Sequence, residues 1–183
     1  MSNGYPMGAV VGRRSVMEPA ARMFISSTYW SDPIGMVAAL TTIRELRRRN
    51  VAESLWSFGR QLQTRLDSVA QEVGLNVRCG GLAVHPHLEF PSASAELKPV
   101  LATLFIQEMA KRGCHGYASF YLNAAQAAAE LDQTTEAARE VFTIILRAID
   151  SGDVESFLEC PRQQDAFRRL VRLAAIGRDV HAA

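Results

Sequence analysis

The clearest pattern in the chain is an apolar residue at every third or fourth position over residues 51–73. This spacing places one apolar face along a helix, and Gly74 follows as a residue that permits a helix to end. A helix is also predicted before it, because Asp32 can accept amide hydrogens of a first helical turn and Pro33 fits the first helical position. That earlier helix is predicted to continue to about Arg49.

Three later segments show the same helical spacing. Residues Leu97 to Arg112 keep apolar side chains on one side and are followed by a glycine. Another helix is predicted from Thr134, as its N-cap, to Gly152, and a last one from Gln163 to Ile176. With the two helices above, these segments are predicted to supply the helical layer of the fold.

Short β-prone runs broken by glycine and proline predict strands between the helices. A buried strand is predicted near residues 8–12, and residues 23–30 are predicted to be a strand or an extended segment. Two short strands joined by a glycine turn are predicted between residues 76 and 90, and a further strand between residues 114 and 121. This order predicts an α+β fold in which a layer of helices covers a small sheet.

Composition and charge narrow the class of protein. Hydrophobic residues make up 48% of the 183 residues and charged residues 21%, which is typical of a globular protein. The formal net charge of +1 provides no overall field for nucleic acid or an anionic membrane surface. No apolar run approaches the roughly 20 residues that span a bilayer. Three widely spaced cysteines favour a reducing compartment, so we expect a cytoplasmic protein. The net charge and the lack of a long apolar run predict that it has no nucleic-acid or membrane partner.

The strongest local signal for chemistry is the run Ser26-Ser27-Thr28, shortly before the helix that starts at Pro33. Hydroxyl groups beside the free amides of a helix start could form a cradle for a phosphate group. The same residues could instead serve only as a capping and turn cluster, and spacing alone favours this second interpretation.

The other candidate groups favour structural roles. His85 and His87 could share a metal ion, but no third ligand stands at a recognised spacing, so no metal site is predicted. Cys114 next to His115 is weak support for a thiol enzyme, because the fold rather than adjacency normally unites a nucleophile and its base. The arginines between residues 44 and 49 suit a solvated helix end better than a nucleic-acid contact.

Four segments resemble class III aminotransferases. Residues 2–12, Ser-Asn-Gly-Tyr-Pro-Met-Gly-Ala-Val-Val-Gly, look like the segment that follows the cofactor lysine in that family. Residues 27–33, Ser-Thr-Tyr-Trp-Ser-Asp-Pro, resemble its downstream Ser-Thr, aromatic and Asn-Pro element. Residues 24–30 and 120–126 are similar to the glutamate-1-semialdehyde aminomutase branch and to related sugar and amino-acid aminotransferases. The resemblance extends from about residue 1 to about residue 172.

This resemblance implies a fold-type I enzyme that uses pyridoxal 5'-phosphate (PLP). Residues 1–50 would be the remnant of the PLP-binding large domain, with a strand and the start of the inter-domain helices. Residues 51–183 would be the carboxyl-terminal small domain, with helices packed on a short antiparallel sheet. In the family, the threonine that matches Thr28 donates a hydrogen bond to the cofactor phosphate of the neighbouring subunit, and the serine that matches Ser27 lies nearby.

The resemblance also implies what these residues cannot do alone. In the family, the lysine that forms the Schiff base with PLP stands just before the Ser-Asn-Gly-Tyr-Pro segment. The two lysines of this chain, Lys98 and Lys111, are interpreted as surface charges. We therefore expect no catalytic residue, no covalently bound PLP and no transamination by these residues alone.

Two functions remain open at this point. The first is the carboxyl-terminal part of an aminotransferase or aminomutase, which acts on an amino acid or amino sugar as a homodimer or with a complementing amino-terminal half. The second is a non-catalytic association module from a truncated aminotransferase. Because the predicted 8–12 strand and the long helix would lack large-domain partners, we expect their apolar faces to promote self-association.

Overall fold

The structure is a computed structural model that describes residues 1–163. Met1–Ser54 form one compact unit, and a second compact unit begins at Leu55. The helix predicted from Gln163 to Ile176 lies outside the described residues, apart from Gln163 itself. Within residues 1–163, no helix combines the length and the apolar composition needed to cross a membrane.

The first unit contains one long helix and two short helical turns. α1 (Arg14–Met17) is followed by a 3-10 helix (Glu18–Arg22), and α2 spans Pro33–Arg48. Asp32 caps α2 as predicted, because its carboxylate accepts a hydrogen bond of 2.9 Å from the amide of Ile34. This bond satisfies one of the amides that every helix start leaves without an internal partner.

The predicted break between the two long helices is confirmed. Asn50 adopts a φ of 48°, a left-handed conformation that asparagine tolerates better than most residues, and α3 then spans Val51–Val73. Gly74, with a φ of 81°, follows α3 as the apolar spacing predicted.

The strand predicted near residues 8–12 is wrong. These residues have no regular secondary structure, and the side chains of Val10 and Val11 are 84% and 89% exposed. Residues 24–27 also have no regular structure, and residues 28–31 form turns. A β-strand needs a neighbouring strand to receive its backbone hydrogen bonds, and no strand in the described residues pairs with either segment.

The second unit is built around one apolar core. α4 spans Leu97–Lys111, and α5 spans Ala128–Ser151 and is followed by a 3-10 helix, Glu155–Phe157. α3, α4 and α5 each contribute nearly completely buried side chains, namely Leu66, Val69, Leu101, Leu104, Phe105, Val141, Phe142 and Ile145. Burying an apolar side chain of this size contributes about 1.5–3 kcal/mol relative to leaving it exposed, so this core stabilises the unit.

The start of α5 differs from the prediction. The helix begins at Ala128, and Thr134 lies inside it, where its hydroxyl donates a 2.7 Å hydrogen bond to the carbonyl oxygen of Glu130. Threonine can bond in this way to the carbonyl four residues earlier, so it does not have to mark a helix start. Instead, the carboxylate of Glu130 reaches back and accepts a 2.7 Å hydrogen bond from the amide of Ala127.

The two predicted strands after residue 76 are confirmed as an antiparallel pair. β1 spans Arg78–Leu82 and β2 spans His85–Glu89, with Cys79 opposite Leu88. The predicted glycine turn is wrong in detail, because both glycines lie inside β1 and residues 83–84 form the turn. Over residues 1–163 the fold is therefore mostly helical, with a two-stranded antiparallel sheet.

The strand predicted over residues 114–121 is also wrong. Only Ser119 forms a β-bridge, opposite His87. Bends at residues 116 and 118 turn the backbone, so the segment contacts β2 over a few residues and does not form a continuous ladder.

Side chains of α3 cover the free edge of β1. The carboxylate of Asp67 accepts a 2.7 Å hydrogen bond from the amide of Cys79. The side-chain amide of Gln63 donates to the carbonyl oxygens of Gly80 and Gly81 at 3.3 and 3.1 Å. These bonds satisfy backbone groups that an uncovered edge strand would expose to other chains.

Candidate functional site

Two of the segments singled out in the sequence meet at the start of α2. They enclose a cavity of about 430 Å³ within the first unit. The cavity is lined by Pro6, Met7, Gly8, Ser27, Tyr29, Trp30, Asp32, Gly35 and Met36. Thr28 lies in the same loop and is exposed, but it is not among the lining residues. The structure thus brings Ser27 to the cavity and places Thr28 beside it.

Gly35 permits the close approach of the two segments. A Cβ atom on Gly35 would lie 2.7 Å from the carbonyl oxygen of Pro6, so any side chain there would displace the 2–8 segment from α2. A Cβ atom on Gly8, which lines the same cavity, would meet no atom within 4 Å. No local sequence pattern marked Gly35, because the constraint comes from a residue far from it in the chain.

Two consecutive turns shape the loop that carries the hydroxyl groups. The amide of Trp30 donates to the carbonyl oxygen of Ser27 at 3.2 Å, and the amide of Asp32 donates to that of Tyr29 at 3.2 Å. Asp32 then caps α2. The hydroxyl-bearing loop is therefore connected directly to the rigid first turn of the helix.

The charge of the cavity is only partly suited to a phosphate group. The exposed hydroxyls of Ser27 and Thr28 are suitable donors to a phosphate oxygen. The helix start offers less than the sequence suggested, because Pro33 has no amide hydrogen and the amide of Ile34 already donates to Asp32. The sequence interpretation treated Asp32 only as a helix cap. A signal for its charge was nevertheless present, because the Asn-Pro element that residues 32–33 resemble has a neutral asparagine at this position.

His85 and His87 have neighbours of their own. The ring of His85 packs against that of Tyr121 in a tilted arrangement with 4.4 Å between centroids, and Nε2 of His87 lies 3.0 Å from Oε1 of Glu89. No group of three side chains suited to a metal ion occurs within residues 1–163. Burial raises the pKa of the Cys114 thiol, which makes it a poorer nucleophile at neutral pH.

Lys111 is held by two carboxylates. Its Nζ donates to Oε1 of Glu108 at 2.7 Å and to Oε1 of Glu159 at 2.6 Å, and these hydrogen bonds raise the pKa of the amine. Burial by itself would raise the pKa of Glu108, but hydrogen bonds from three neighbours outweigh burial and keep the pKa below its ordinary value; the donors are Lys111, Gln107 and Arg112. A protonated, ion-paired amine is not a nucleophile, so this lysine is not suited to covalent cofactor chemistry.

Comparison with known families decides which family the chain represents. Residues 1–149 match the class III aminotransferases. The chain belongs to this family. The matched range of the class III aminotransferase family contains both segments that form the cavity, and members of the family use PLP.

Individual class III relatives cover most of this chain but are much longer. The chain is 27% identical to aminopentol aminotransferase of Sphingopyxis macrogoltabida, a match covering 80% of this chain and 34% of the relative. It is 31% identical to glutamate-1-semialdehyde 2,1-aminomutase of Syntrophobacter fumaroxidans, in a match that covers 78% of this chain and 36% of the relative. The predicted resemblance to the family is confirmed, and aminomutases are among the relatives.

Solved class III structures share the fold. The FumI protein of Sphingopyxis sp. MTA144, in its PLP internal aldimine form, superposes with a TM-score of 0.72 and 26% identity, over 82% of this chain and 36% of that one. An omega-transaminase from Sphaerobacter thermophilus superposes with a TM-score of 0.69, over 79% of this chain and 37% of that one. Its sequence is 21% identical, so this match supports a shared fold and nothing more. The chain thus spans about a third of the length of the relatives that it matches.

Proposed function

We propose that the chain is the carboxyl-terminal part of a class III, PLP-dependent aminotransferase or aminomutase. In this proposal Thr28 and Ser27 contact the cofactor phosphate, and the first unit contributes to a subunit interface. The observation that carries the proposal is the cavity at the start of α2, where the two segments that resemble the family meet. The family implies an amino-acid or amino-sugar substrate.

The hydroxyl loop supports the phosphate contact. Thr28 follows Ser27, both are exposed, and the turns after them lead directly into α2. A short hydroxyl side chain on such a loop can donate to a phosphate oxygen without a large loss of rotamer freedom. When bound, PLP supplies the electron-withdrawing ring that makes amino transfer possible. Ser27 and Thr28 would hold its phosphate group.

We also propose that these residues do not carry out transamination alone. The chain has two lysines. Lys111 is ion-paired with two carboxylates, and Lys98 is the exposed second residue of α4. Neither amine is therefore proposed as a catalytic residue.

Exposed apolar side chains in the first unit support a partner. Phe24 is 96% exposed, and Val10 and Val11 are nearly as exposed. Large apolar side chains gain free energy when a partner removes them from water, so their exposure favours an interface. Because the chain spans about a third of its relatives, we propose that this surface is covered by a second copy or by a complementing amino-terminal half.

The phosphate contact is tested by exchanging the hydroxyl of Thr28 for a methyl group. Thr28→Val keeps the shape of the side chain, and Ser31→Ala removes a hydroxyl of the same loop that is not proposed to contact the phosphate. Phosphorus NMR titration with PLP follows binding to the full chain. We expect Thr28→Val to weaken binding about tenfold, the effect of losing one hydrogen bond to a charged group, and Ser31→Ala to leave it unchanged. Equal affinities for wild type and Thr28→Val would contradict the proposed contact.

A non-catalytic association module is the second candidate function, and the exposed Phe24 favours it as much as the first. Sedimentation of the full chain with and without PLP separates the two functions. Assembly that responds to PLP supports the cofactor-linked function. Assembly that ignores PLP, and that Phe24→Ser abolishes, supports the association module.

A further inference from the structure

Asp32 places a carboxylate at the cavity that the two motif segments share. It lines the cavity together with Ser27, and it is half-buried rather than fully exposed. The residues that line the cavity include no lysine, arginine or histidine. The carboxylate is therefore the one formal charge that these lining residues present to a ligand.

The same carboxylate occupies one of the few donors that the start of α2 could offer to a ligand. Pro33 has no amide hydrogen, and the amide of Ile34 donates to Oδ1 of Asp32 at 2.9 Å. Helix starts usually attract anions because free amides and the positive end of the helix dipole face them. Here two of the first-turn positions offer no amide to a ligand, and a phosphate group at the cavity would also meet the negative charge of Asp32.

We infer that Asp32 is an affinity-determining residue that weakens the binding of phosphate-bearing ligands to this cavity. The inference rests on the proposed function, in which PLP is the ligand. Its consequence is that tight binding depends on cations supplied from outside these residues. From Coulomb's law, removing one negative charge near a divalent phosphate in water is expected to raise the affinity about three- to tenfold at low ionic strength.

Neutral caps separate the charge of Asp32 from its structural role. Asparagine and serine cap helices about as well as aspartate, so Asp32→Asn and Asp32→Ser keep α2 while removing the charge. Asp32→Glu changes the length of the side chain but keeps its negative charge, so it tests whether a change of side chain alone alters the affinity. Glu18→Gln removes a negative charge from the 3-10 helix of the same unit and controls for net charge. Circular dichroism verifies the helix content of each variant.

The experiment measures the affinity of the full chain for three probes. PLP and inorganic phosphate are titrated by phosphorus NMR and pyridoxal, which lacks the phosphate, by proton NMR. The titrations are made near 10 mM ionic strength, where charges act over about 30 Å, and again near 1 M salt, where they act over about 3 Å. We expect both neutral caps to bind PLP and phosphate about three- to tenfold more tightly at low salt, with pyridoxal unchanged and little difference at high salt. Asp32→Glu and Glu18→Gln should stay close to wild type.

Three results would overturn the inference. An unchanged PLP affinity in both neutral-cap variants contradicts it while leaving the phosphate contact of the proposed function in place. An equal gain for pyridoxal shows that a change of cavity shape, rather than charge, is responsible. Absence of binding in wild type and in every variant contradicts the proposed function and this inference together. Binding by the neutral-cap variants alone supports both.

Discussion

Replacing Gly59 by alanine tests how closely the β1–β2 turn lies against α3. A Cβ atom at this position would lie far inside van der Waals contact with the carbonyl oxygen of Ala83, and 2.5 Å from its carbonyl carbon. Elsewhere in a helix the same change would stabilise the protein by about 1 kcal/mol, because alanine is the better helix former. Here the obstructing atoms belong to the backbone, so the turn must move away from the helix.

The expected net effect of Gly59→Ala is a loss of about 2–3 kcal/mol in the free energy of unfolding. Overpacking of a well-packed site costs about 1–3 kcal/mol. Moving the turn also weakens the hydrogen bonds from Gln63 to β1, worth about 1 kcal/mol each. The gain in helix propensity offsets only part of these costs. At about 2–4 °C per kcal/mol, Tm should fall by about 4–12 °C.

Thermal and urea unfolding, followed by circular dichroism, measure this effect. Gly116→Ala is the matched control, because a Cβ atom there would meet nothing within 4 Å and the residue has no positive φ. The control should change the stability by less than about 0.5 kcal/mol. A Gly59→Ala variant as stable as wild type, or more stable, would show that helix propensity dominates and would refute the close contact.

Two further predictions concern buried ionisable groups. The pKa of Glu108 is below its ordinary value of 4.5, so its stabilising effect is present at neutral pH and is lost as the pH falls below about 4.5. Glu108→Gln should therefore lower the free energy of unfolding by about 1–2 kcal/mol at pH 7, and by much less near pH 3. Urea titration at the two pH values measures this difference, and an equal loss at both would refute the charge effect. Burial, with smaller effects from Asp67 and Glu89, raises the pKa of the Cys79 thiol to about 12. At pH 8, iodoacetamide should label the exposed Cys160 in the native protein, and it should label Cys79 only in urea. Peptide mass mapping identifies the labelled cysteine. Labelling of both cysteines at the same rate in the native protein would contradict this prediction.

The long helices could be predicted because their signals are local. The apolar spacing from Val51 to Val73 and the cap at Asp32 depend on residues within one or two turns of each other. Thr134 shows the limit of such signals. A threonine before an apolar run suits both a cap and an internal position, and Glu130 decided the case by bonding to the amide of Ala127.

Strands were predicted less well because a strand depends on its neighbour. Residues 8–12 have β-prone side chains, but within the described residues no second strand receives their hydrogen bonds. The pair formed by β1 and β2 was predictable because each strand supplies the partner of the other within a few residues.

The candidate site was only half visible in the sequence. The hydroxyls of Ser27 and Thr28 could be identified from their type and their distance from Pro33. The approach of Pro6 to Gly35, which closes the cavity, joins residues far apart in the chain and follows from no local pattern.

The sequence by itself therefore determined the long helices, the cap of α2, the order of the elements and the family, because each of these depends on neighbouring residues or on continuous motifs. Only the tertiary structure decided which β-prone segments pair, how closely Gly59 and Gly35 meet distant backbone, and which charge faces the cavity. Those outcomes depend on packing between residues distant in the chain, where one backbone carbonyl oxygen decides whether a side chain fits.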